Sequence, residues 1–284
     1  MKSKFFILMG FLLLALAILP FMRSRPASLD WHRDKDEAFQ TARATHKPVL
    51  AFLYADWCTY CRQMDSTTFR DPHVIKDLGR RFVWLRLNAE TNPEGADLQR
   101  RFGVEGYPTL LILDESGNEI DRLSGFVPPD QFPERLQALV DGPDSFPGLE
   151  QRLEENPDSA EVNFKIASKY LERKQFQEAG EHFGRAVALD PENQSGLADD
   201  GLYYIAGTEA MLGQVDKALA TLKELRTRFP QSDYSTESSL MRAQLLIQNG
   251  EDSEARKVLT QFLHDHPDHR AAAQVRQLLD RKSF

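Results

Sequence analysis

The chain has only two cysteines, Cys58 and Cys61, and two residues separate them. The residues before them, Val49–Tyr54, are an apolar run of strand length, which predicts a buried strand. The residues after them, 62–69, are compatible with a helix. At a helix N-terminus the first sulfur lies near unpaired N–H groups, which stabilise its thiolate. This order of strand, cysteine pair and helix predicts a redox-active dithiol in an α/β domain.

Two other uses of the cysteine pair are weaker. A structural zinc site needs about four ligands, but the sequence has no second cysteine pair and no histidines at ligand spacing. A purely structural disulfide between Cys58 and Cys61 would close a very small ring, which removes little chain entropy from the unfolded state. We therefore expect no metal site and no cofactor other than the Cys58–Cys61 disulfide itself.

The cysteine pair belongs to a longer pattern, which consists of Lys47-Pro48-Val49, Tyr54-Ala55-Asp56-Trp57-Cys58-Thr59-Tyr60-Cys61, Thr68-Phe69-Arg70-Asp71-Pro72-His73-Val74, Gly106-Tyr107-Pro108-Thr109 and Ser124-Gly125-Phe126. On these motifs, residues 30–140 resemble the thioredoxin superfamily. Within it they are most similar to the C-terminal periplasmic domain of DsbD-type transmembrane thiol:disulfide interchange proteins. The resemblance implies a thioredoxin-like α/β domain over residues 28–140, with a mixed central sheet flanked by helices. Within it the sequence predicts a helix at 58–69, a helix at 72–78 with Asp71 as its N-cap, and a strand at 109–113.

The resemblance also implies roles for single residues. Pro108 is expected to follow a cis peptide bond and to lie opposite the catalytic Cys58 and Cys61. Its neighbours Tyr107 and Thr109, together with Trp57, are expected to contact the substrate, because a strand-like backbone edge can bind an extended peptide. An ordinary trans proline before a strand is the alternative at Pro108.

Two positions concern proton transfer. Thioredoxin-like proteins commonly bury a carboxylate six residues before the first cysteine, but Phe52 occupies that position here. Asp65 lies four residues after Cys61, about one helical turn further along, and DsbD-type domains also carry an acidic residue there. We expect Asp65 to help remove the proton from Cys61. A solvated aspartate on the helix surface is the alternative.

Residues 1–27 are predicted to target the chain to a membrane. Lys2 and Lys4 precede an apolar run at 5–21 of about 17 residues, which is roughly 25 Å as a helix and within the range of spanning helices. A cleaved signal peptide needs small residues next, whereas Arg23, Arg25 and Pro26 follow. This pattern favours an uncleaved anchor. The disulfide chemistry indicates that the rest of the chain is in the periplasm or another extracytoplasmic space.

The C-terminal half contains a repeat. Ala179, Ala218 and Ala255 each precede a proline by 12 residues, and each unit resembles a tetratricopeptide repeat (TPR) of two helices. A Pro-, Gly- and Asp-rich stretch at 141–148 predicts a linker. Residues 149–284 are therefore predicted to form three helix pairs and a capping helix at 269–282. Such repeats imply a surface for a protein or peptide partner. A purely structural extension is the alternative.

The net charge of −8 argues against nucleic-acid binding, which needs clustered Lys and Arg. The leading hypothesis is a membrane-anchored extracytoplasmic thiol–disulfide oxidoreductase that reduces disulfides of client proteins. Because two cysteines cannot relay electrons across a membrane, a separate membrane thiol reductase is expected to supply them. The alternatives are a TPR-based interaction or scaffold protein with a redox-inactive thioredoxin-like domain, and a disulfide oxidase or isomerase.

Overall fold

The computed structural model describes residues 28–280, and its first domain is built on one five-stranded sheet. The strands are β1 (Trp31–His32), β2 (Val49–Tyr54), β3 (Val83–Asn88), β4 (Thr109–Leu113) and β5 (Glu119–Ser124). Their order in the sheet is β1-β3-β2-β4-β5. The first three strands are parallel, whereas β4 is antiparallel to β2 and β5 is antiparallel to β4.

Helices cover both faces of this sheet. They are α1 (Lys35–Thr45), α2 (Thr59–Ser66), α3 (Pro72–Leu78), α4 (Pro93–Arg101) and α5 (Phe132–Asp141). Because side chains alternate along a strand, Leu50 and Phe52 of β2 face the core beneath α2, α3 and α5. Their neighbours Val49, Ala51 and Leu53 face the second core, beneath α1 and α4. The uninterrupted apolar sequence of β2 thus reflects burial on both faces.

Most elements of this domain match the sequence prediction. The strands at 49–54 and 109–113 and the helix at 72–78 have the predicted bounds, and the Asp71 carboxylate caps that helix, accepting hydrogen bonds from the N–H groups of His73 and Val74. The helix predicted at 58–69 instead ends at Ser66 and is followed by a 3-10 turn at Thr68–Arg70. Strand β1 was not predicted, because two residues are too few to produce a recognisable pattern.

The linker predicted at 141–148 is shorter in the structure. Helix α5 continues to Asp141, and a further helix, α6 (Phe146–Glu155), begins where the linker was expected to continue. Ser145 caps α6 by accepting a hydrogen bond from the N–H of Gly148. Pro147 lies in the first turn, where proline is well tolerated because that N–H has no helical partner. Only residues 142–145 separate the two helices.

The remaining helices form the three predicted pairs and the cap. They are α7 (Ala160–Glu172), α8 (Phe176–Leu189), α9 (Leu197–Met211), α10 (Val215–Arg228), α11 (Ser235–Gln248), α12 (Asp252–Asp265) and α13 (Ala272–Leu279). The repeated residues Ala179, Ala218 and Ala255 are fully buried in the second helix of each pair. Small side chains at these positions allow the paired helices to approach closely, and the predicted repeat architecture is confirmed.

A network of buried charges joins the repeats to the thioredoxin-like domain. Asp121 of β5 accepts hydrogen bonds from Lys169 of α7, with Nζ–O distances of 3.0 and 2.9 Å, and from the N–H of Phe146. Arg173, just after α7, donates to the carbonyl of Ile120, and its guanidinium lies 3.7 Å from the centre of the Phe146 ring. The first repeat is therefore anchored to the outermost strand of the sheet.

The predicted N-terminal anchor at 1–27 lies outside the described residues. Within residues 28–280, no helix has the length and apolar character that crossing a membrane requires.

Candidate functional site

The structure places Cys58 and Cys61 in a disulfide at the start of α2. Their Cα atoms are 5.3 Å apart. Cys58 is the N-cap of the helix, and its Sγ accepts a hydrogen bond from the N–H of Cys61 at 3.0 Å. Both residues are buried, with 3% of Cys58 and 1% of Cys61 exposed. In this disulfide form the two cysteines are therefore almost equally buried. They differ in position, because Cys58 is the N-cap of α2 and Cys61 lies in its first turn.

Aromatic side chains fill the core beneath the disulfide. Phe52, at the position where related proteins commonly bury a carboxylate, is fully buried in the same cluster as Cys58 and Cys61. Its ring stacks on Tyr54 at 5.6 Å and meets the edge of Phe69 at 5.0 Å, measured between ring centroids. This part of the core therefore contributes no ionisable group next to the sulfurs.

A partly buried charge pair joins Asp65 of α2 to Arg86 of β3. Both guanidinium NH2 groups of Arg86 donate to the Asp65 carboxylate, at 3.1 and 3.0 Å. The Arg86 guanidinium also lies 4.8 Å from the centre of the Tyr54 ring, which favours a cation at its face. Asp65 is thus placed on the active-site helix as predicted, but both of its oxygens already have a partner.

Arg86 was not singled out from the sequence. It is the one charged residue in the apolar run Val83–Asn88, and its side chain lies on the same sheet face as Phe52, its neighbour across the strand pair. A single arginine in an otherwise buried strand needs a carboxylate partner. That isolated charge was the signal from which an Asp65 partner could have been inferred.

The loop before β4 packs, through Tyr107, against the core cluster that contains both cysteines. The Tyr107–Pro108 peptide bond is cis, which confirms that implication of the resemblance. The N–H of Gly125 donates to the Pro108 carbonyl at 2.8 Å, and the Thr109 hydroxyl donates to the carbonyl of Gly106 at 2.8 Å. Gly125 has φ +84°, a conformation that favours glycine. The two motifs of the resemblance, at 106–109 and 124–126, thus hold each other in place.

The predicted substrate-binding residues occupy different depths. Trp57 is 66% exposed, and its ring meets the edge of half-buried Tyr107 at a centroid distance of 6.1 Å. Burial raises the pKa of the Tyr107 hydroxyl, and the Glu90 carboxylate acts in the same direction. Thr109 is buried between Leu53 and Ser124 in the sheet. Trp57 and Tyr107 therefore form the accessible rim, and Thr109 supports it from below.

Two further residues complete this rim and were not predicted. The indole N–H of Trp57 donates to both carboxylate oxygens of Glu90, at 2.9 and 3.0 Å. Tyr60, between the cysteines, is exposed and stacks on Phe126 at 6.2 Å. Neither contact can be inferred from spacing, because the partners are 33 and 66 residues apart. Across residues 28–280 there is no cluster of His, Cys, Asp or Glu suited to holding a metal ion.

Comparisons with known proteins agree with both halves of the structure. Residues 35–139 match the family model of a thioredoxin-like domain, and residues 197–280 match that of an outer membrane lipoprotein family. The thiol:disulfide interchange protein DsbD of Yersinia pestis (strain Pestoides F) is 40% identical over 98 residues, which cover 34% of this chain and 16% of the relative. The chain thus matches about a sixth of the length of such curated relatives, 16% in this case.

Solved structures also resemble parts of the chain. The oxidised C-terminal domain of Neisseria meningitidis DsbD is 26% identical, with a TM-score of 0.34 over 38% of this chain and 97% of that domain. The MamA crystal structure is 16% identical, with a TM-score of 0.43 over 53% of this chain and 81% of that one. The family model at 35–139 and the identity with DsbD show that the chain carries a thioredoxin-like domain with homologues among DsbD proteins. The helix pairs of the structure form the TPR-like region that follows it.

Proposed function

We propose that this protein is a thiol–disulfide oxidoreductase that reduces disulfides in client proteins through Cys58 and Cys61. The observation that carries the proposal is the Cys58–Cys61 disulfide at the N-terminus of α2, beside the cis-proline loop. A sulfur at the N-cap receives N–H hydrogen bonds and the positive end of the helix dipole, which favour its thiolate. The identity with DsbD over the same residues supports the same chemistry.

The reaction is a two-electron exchange. The Cys58 thiolate attacks one sulfur of the client disulfide, which forms a mixed disulfide and releases the other client sulfur as a thiolate that takes up a proton. Cys61 then loses its proton and attacks Cys58 Sγ, releasing the second client thiol. The client gains two electrons, and this protein ends as the Cys58–Cys61 disulfide. No cofactor other than this dithiol is needed.

The charges around the sulfurs favour the reducing direction. A strong oxidant needs a very acidic first thiol, usually beside a cation or histidine. Thr59 and Tyr60 carry no charge, and the exposed Arg62 guanidinium donates to the Asp56 carbonyl and the Thr59 hydroxyl, where water screens its charge. We expect a reduction potential nearer that of thioredoxin, about −270 mV, than that of an oxidant at about −120 mV.

The proposed setting is extracytoplasmic, with residues 1–27 as the membrane anchor. The apolar run at 5–21 and the relation to DsbD support this setting. A reductant in that compartment must be re-reduced, and this chain has only two cysteines. A separate membrane thiol reductase is therefore the proposed electron donor, and disulfide-containing proteins are the proposed clients.

The test is reduction of a disulfide-linked peptide by the pre-reduced protein, followed by alkylation and mass spectrometry. Wild type should convert the peptide to its dithiol stoichiometrically, Cys58→Ser should be inactive, and Cys61→Ser should stop at the mixed disulfide. Activity that survives Cys58→Ser would contradict the mechanism. Equilibration with glutathione then gives the potential, and a value above about −150 mV would favour an oxidase or isomerase.

A second candidate is a scaffold protein whose repeats bind a partner while the thioredoxin-like domain is redox-inactive. The observation in its favour is the array of three helix pairs at 160–265, which contains no cysteine. A wild-type protein that forms no mixed disulfide, yet binds a partner through residues 149–284, would support the scaffold.

A further inference from the structure

A groove of about 910 Å³ runs between the cis-proline loop and the first repeats. One wall consists of residues 103–109, the end of β5 and the residue after it, Leu123 to Gly125. The opposite wall comes from the repeats, where α7 ends, α8 begins and α9 ends, and includes Leu171, Phe176 and Met211. Its volume lies within the range of binding clefts for small ligands and side chains, about 300–1,000 Å³.

The groove borders the redox site at Tyr107. Tyr107 and Pro108 line it, and Tyr107 also meets Trp57, the residue before Cys58. Strand β5 is the last strand of the sheet and pairs only with β4 among the described strands. Contacts with α7 cover β5 at residues 120–122, whereas its last residue Ser124 and the following Gly125 are exposed, so a polypeptide that leaves the sulfurs in an extended conformation can lie against these two residues.

The repeat wall combines charged side chains with three apolar ones, Leu171, Phe176 and Met211. Met211 is 64% exposed and Phe176 is half-buried, although both line the groove. Met211 exposes an apolar side chain beside the groove, and the flexible methionine thioether adapts to differently shaped partners. These residues suit the side chain of an apolar residue in a bound peptide.

The two walls are held at a fixed separation by contacts across the domain boundary. Arg122 of β5 donates to the Glu172 carbonyl at 3.3 Å, and Arg173 donates to the Ile120 carbonyl at 2.8 Å. Lys174, in the turn between α7 and α8, forms an ion pair with Glu105 of the loop. The groove is thus preformed, which lowers the entropy cost of ordering a ligand in it.

We propose that this groove binds the extended segment of the client polypeptide next to the cysteine that Cys58 attacks, with an apolar client side chain against Met211 and Phe176. This inference rests on the proposed reductase function and adds a substrate class to it. The TPR-like region is then one wall of the substrate site. Disulfides in unfolded or extended segments with apolar flanks are the preferred substrates.

The test compares two disulfide-linked peptides and two variants of the full chain. One peptide has the disulfide alone, and the other adds a leucine-containing flank of about eight residues, which spans roughly 27 Å when extended. Met211→Asp should lower kcat/KM for the long peptide about tenfold, because an apolar contact in a pocket is worth that much, and leave the short peptide unchanged. Leu212→Asp is the matched control, because Leu212 is also exposed, at 43%, but does not line the groove.

Equal rates for the two peptides in wild type, or equal effects of the two variants, would overturn the groove proposal while leaving the reductase intact. Failure of wild type to reduce either peptide would remove the reductase function itself. A second measurement is independent of catalysis. The mixed disulfide of Cys61→Ser with a long peptide that carries benzophenone in its flank should cross-link to Met211 or Phe176. Cross-links confined to residues outside the groove would overturn the proposal.

Discussion

Two lysines one helical turn apart on α7 each pair with an aspartate. The two pairs have the same N–O distances but differ in how deeply the aspartate is buried. Lys169 reaches both oxygens of Asp121 at 3.0 and 2.9 Å, and Lys165 reaches both oxygens of Asp144 at 3.0 and 2.9 Å. The Asp121 side chain is 1% exposed, whereas that of Asp144 is 57% exposed. Because the distances are equal, any difference in their contribution to stability must come from the surroundings.

Burial of an ion pair changes how much free energy of unfolding is lost when one partner is removed. An exposed pair exchanges its contacts with water, so its removal costs about 0–1 kcal/mol. A buried pair contributes little net stability, yet removing one partner leaves an uncompensated charge and costs about 3–5 kcal/mol. The active-site pair of Asp65 and Arg86 lies between these cases, with an Asp65 side chain that is 31% exposed. The three pairs thus rank by burial.

The largest effect is expected at the domain boundary. Asp121→Ala leaves the Lys169 ammonium without its partner and should lower the free energy of unfolding by about 3–5 kcal/mol. Asp144→Ala is the matched control and should cost about 1 kcal/mol or less. Urea denaturation followed by circular dichroism measures both changes.

A second variant separates charge burial from loss of packing. In the double variant Asp121→Ala/Lys169→Met both charges are removed, so about half or more of the lost stability should return, as replacements of buried ion pairs by apolar residues are often close to neutral. If Asp121→Ala costs no more than Asp144→Ala, burial does not rank these pairs.

The same contrast explains what the sequence could predict. Local patterns sufficed for the dithiol, the Asp71 cap and the three helix pairs, because each rests on residues close together in the chain. The contacts at the domain boundary could not be predicted from a local pattern, because Asp121 and Lys169 are 48 residues apart. Both are residue types that are usually exposed. The linker predicted at 141–148 also depended on composition alone. Pro and Gly in this stretch are compatible with the start of a helix as well as with a flexible segment, and the structure has the start of α6 there.

The candidate site divides in the same way. Cys58, Cys61 and Pro108 were predicted from motifs; the structure joins the two cysteines in a disulfide, gives Pro108 its cis peptide bond and packs Tyr107 against the core cluster that contains both cysteines. The partners Arg86 and Glu90 were missed: the lone Arg86 in β3 indicated a carboxylate partner but not which one, and the contact of Glu90 with Trp57 depends on how the loop after β3 meets the start of α2. The sequence thus predicts the candidate redox residues, whereas the fold determines which charged side chains contact the residues around them.

An intermediate effect is expected at Asp65. If this carboxylate accepts the Cys61 proton, Asp65→Asn should slow the second step, release of the client from the mixed disulfide. The slowing should be about tenfold, below the usual range for general bases of about 10²–10⁴, because Arg86 occupies both oxygens. Stopped-flow measurement of client thiol release gives this rate.

Two controls identify the step that Asp65 affects. Asp77→Asn changes an exposed aspartate on α3 and should leave the rate unchanged. In the Cys61→Ser background, Asp65→Asn should not alter the first attack by Cys58. Equal slowing of both steps would show that Asp65 only supports α2 through Arg86.

The smallest effect concerns Asp144 and pH. A hydrogen bond from Lys165, assisted by Arg152, holds the pKa of the Asp144 carboxyl below its ordinary value. The ionised carboxylate therefore stabilises the folded state above the unfolded pKa of about 3.9, and this contribution is lost as pH falls through the lower folded value. Asp144→Asn should lower the free energy of unfolding by less than about 1 kcal/mol at pH 7, because water screens the pair. The difference from wild type should shrink towards zero between about pH 4 and pH 2.

Asp130→Asn is the control, since Asp130 is exposed and takes part in no ion pair within residues 28–280. Urea midpoints measured across this range decide the sign, and a difference that grows at low pH would contradict it.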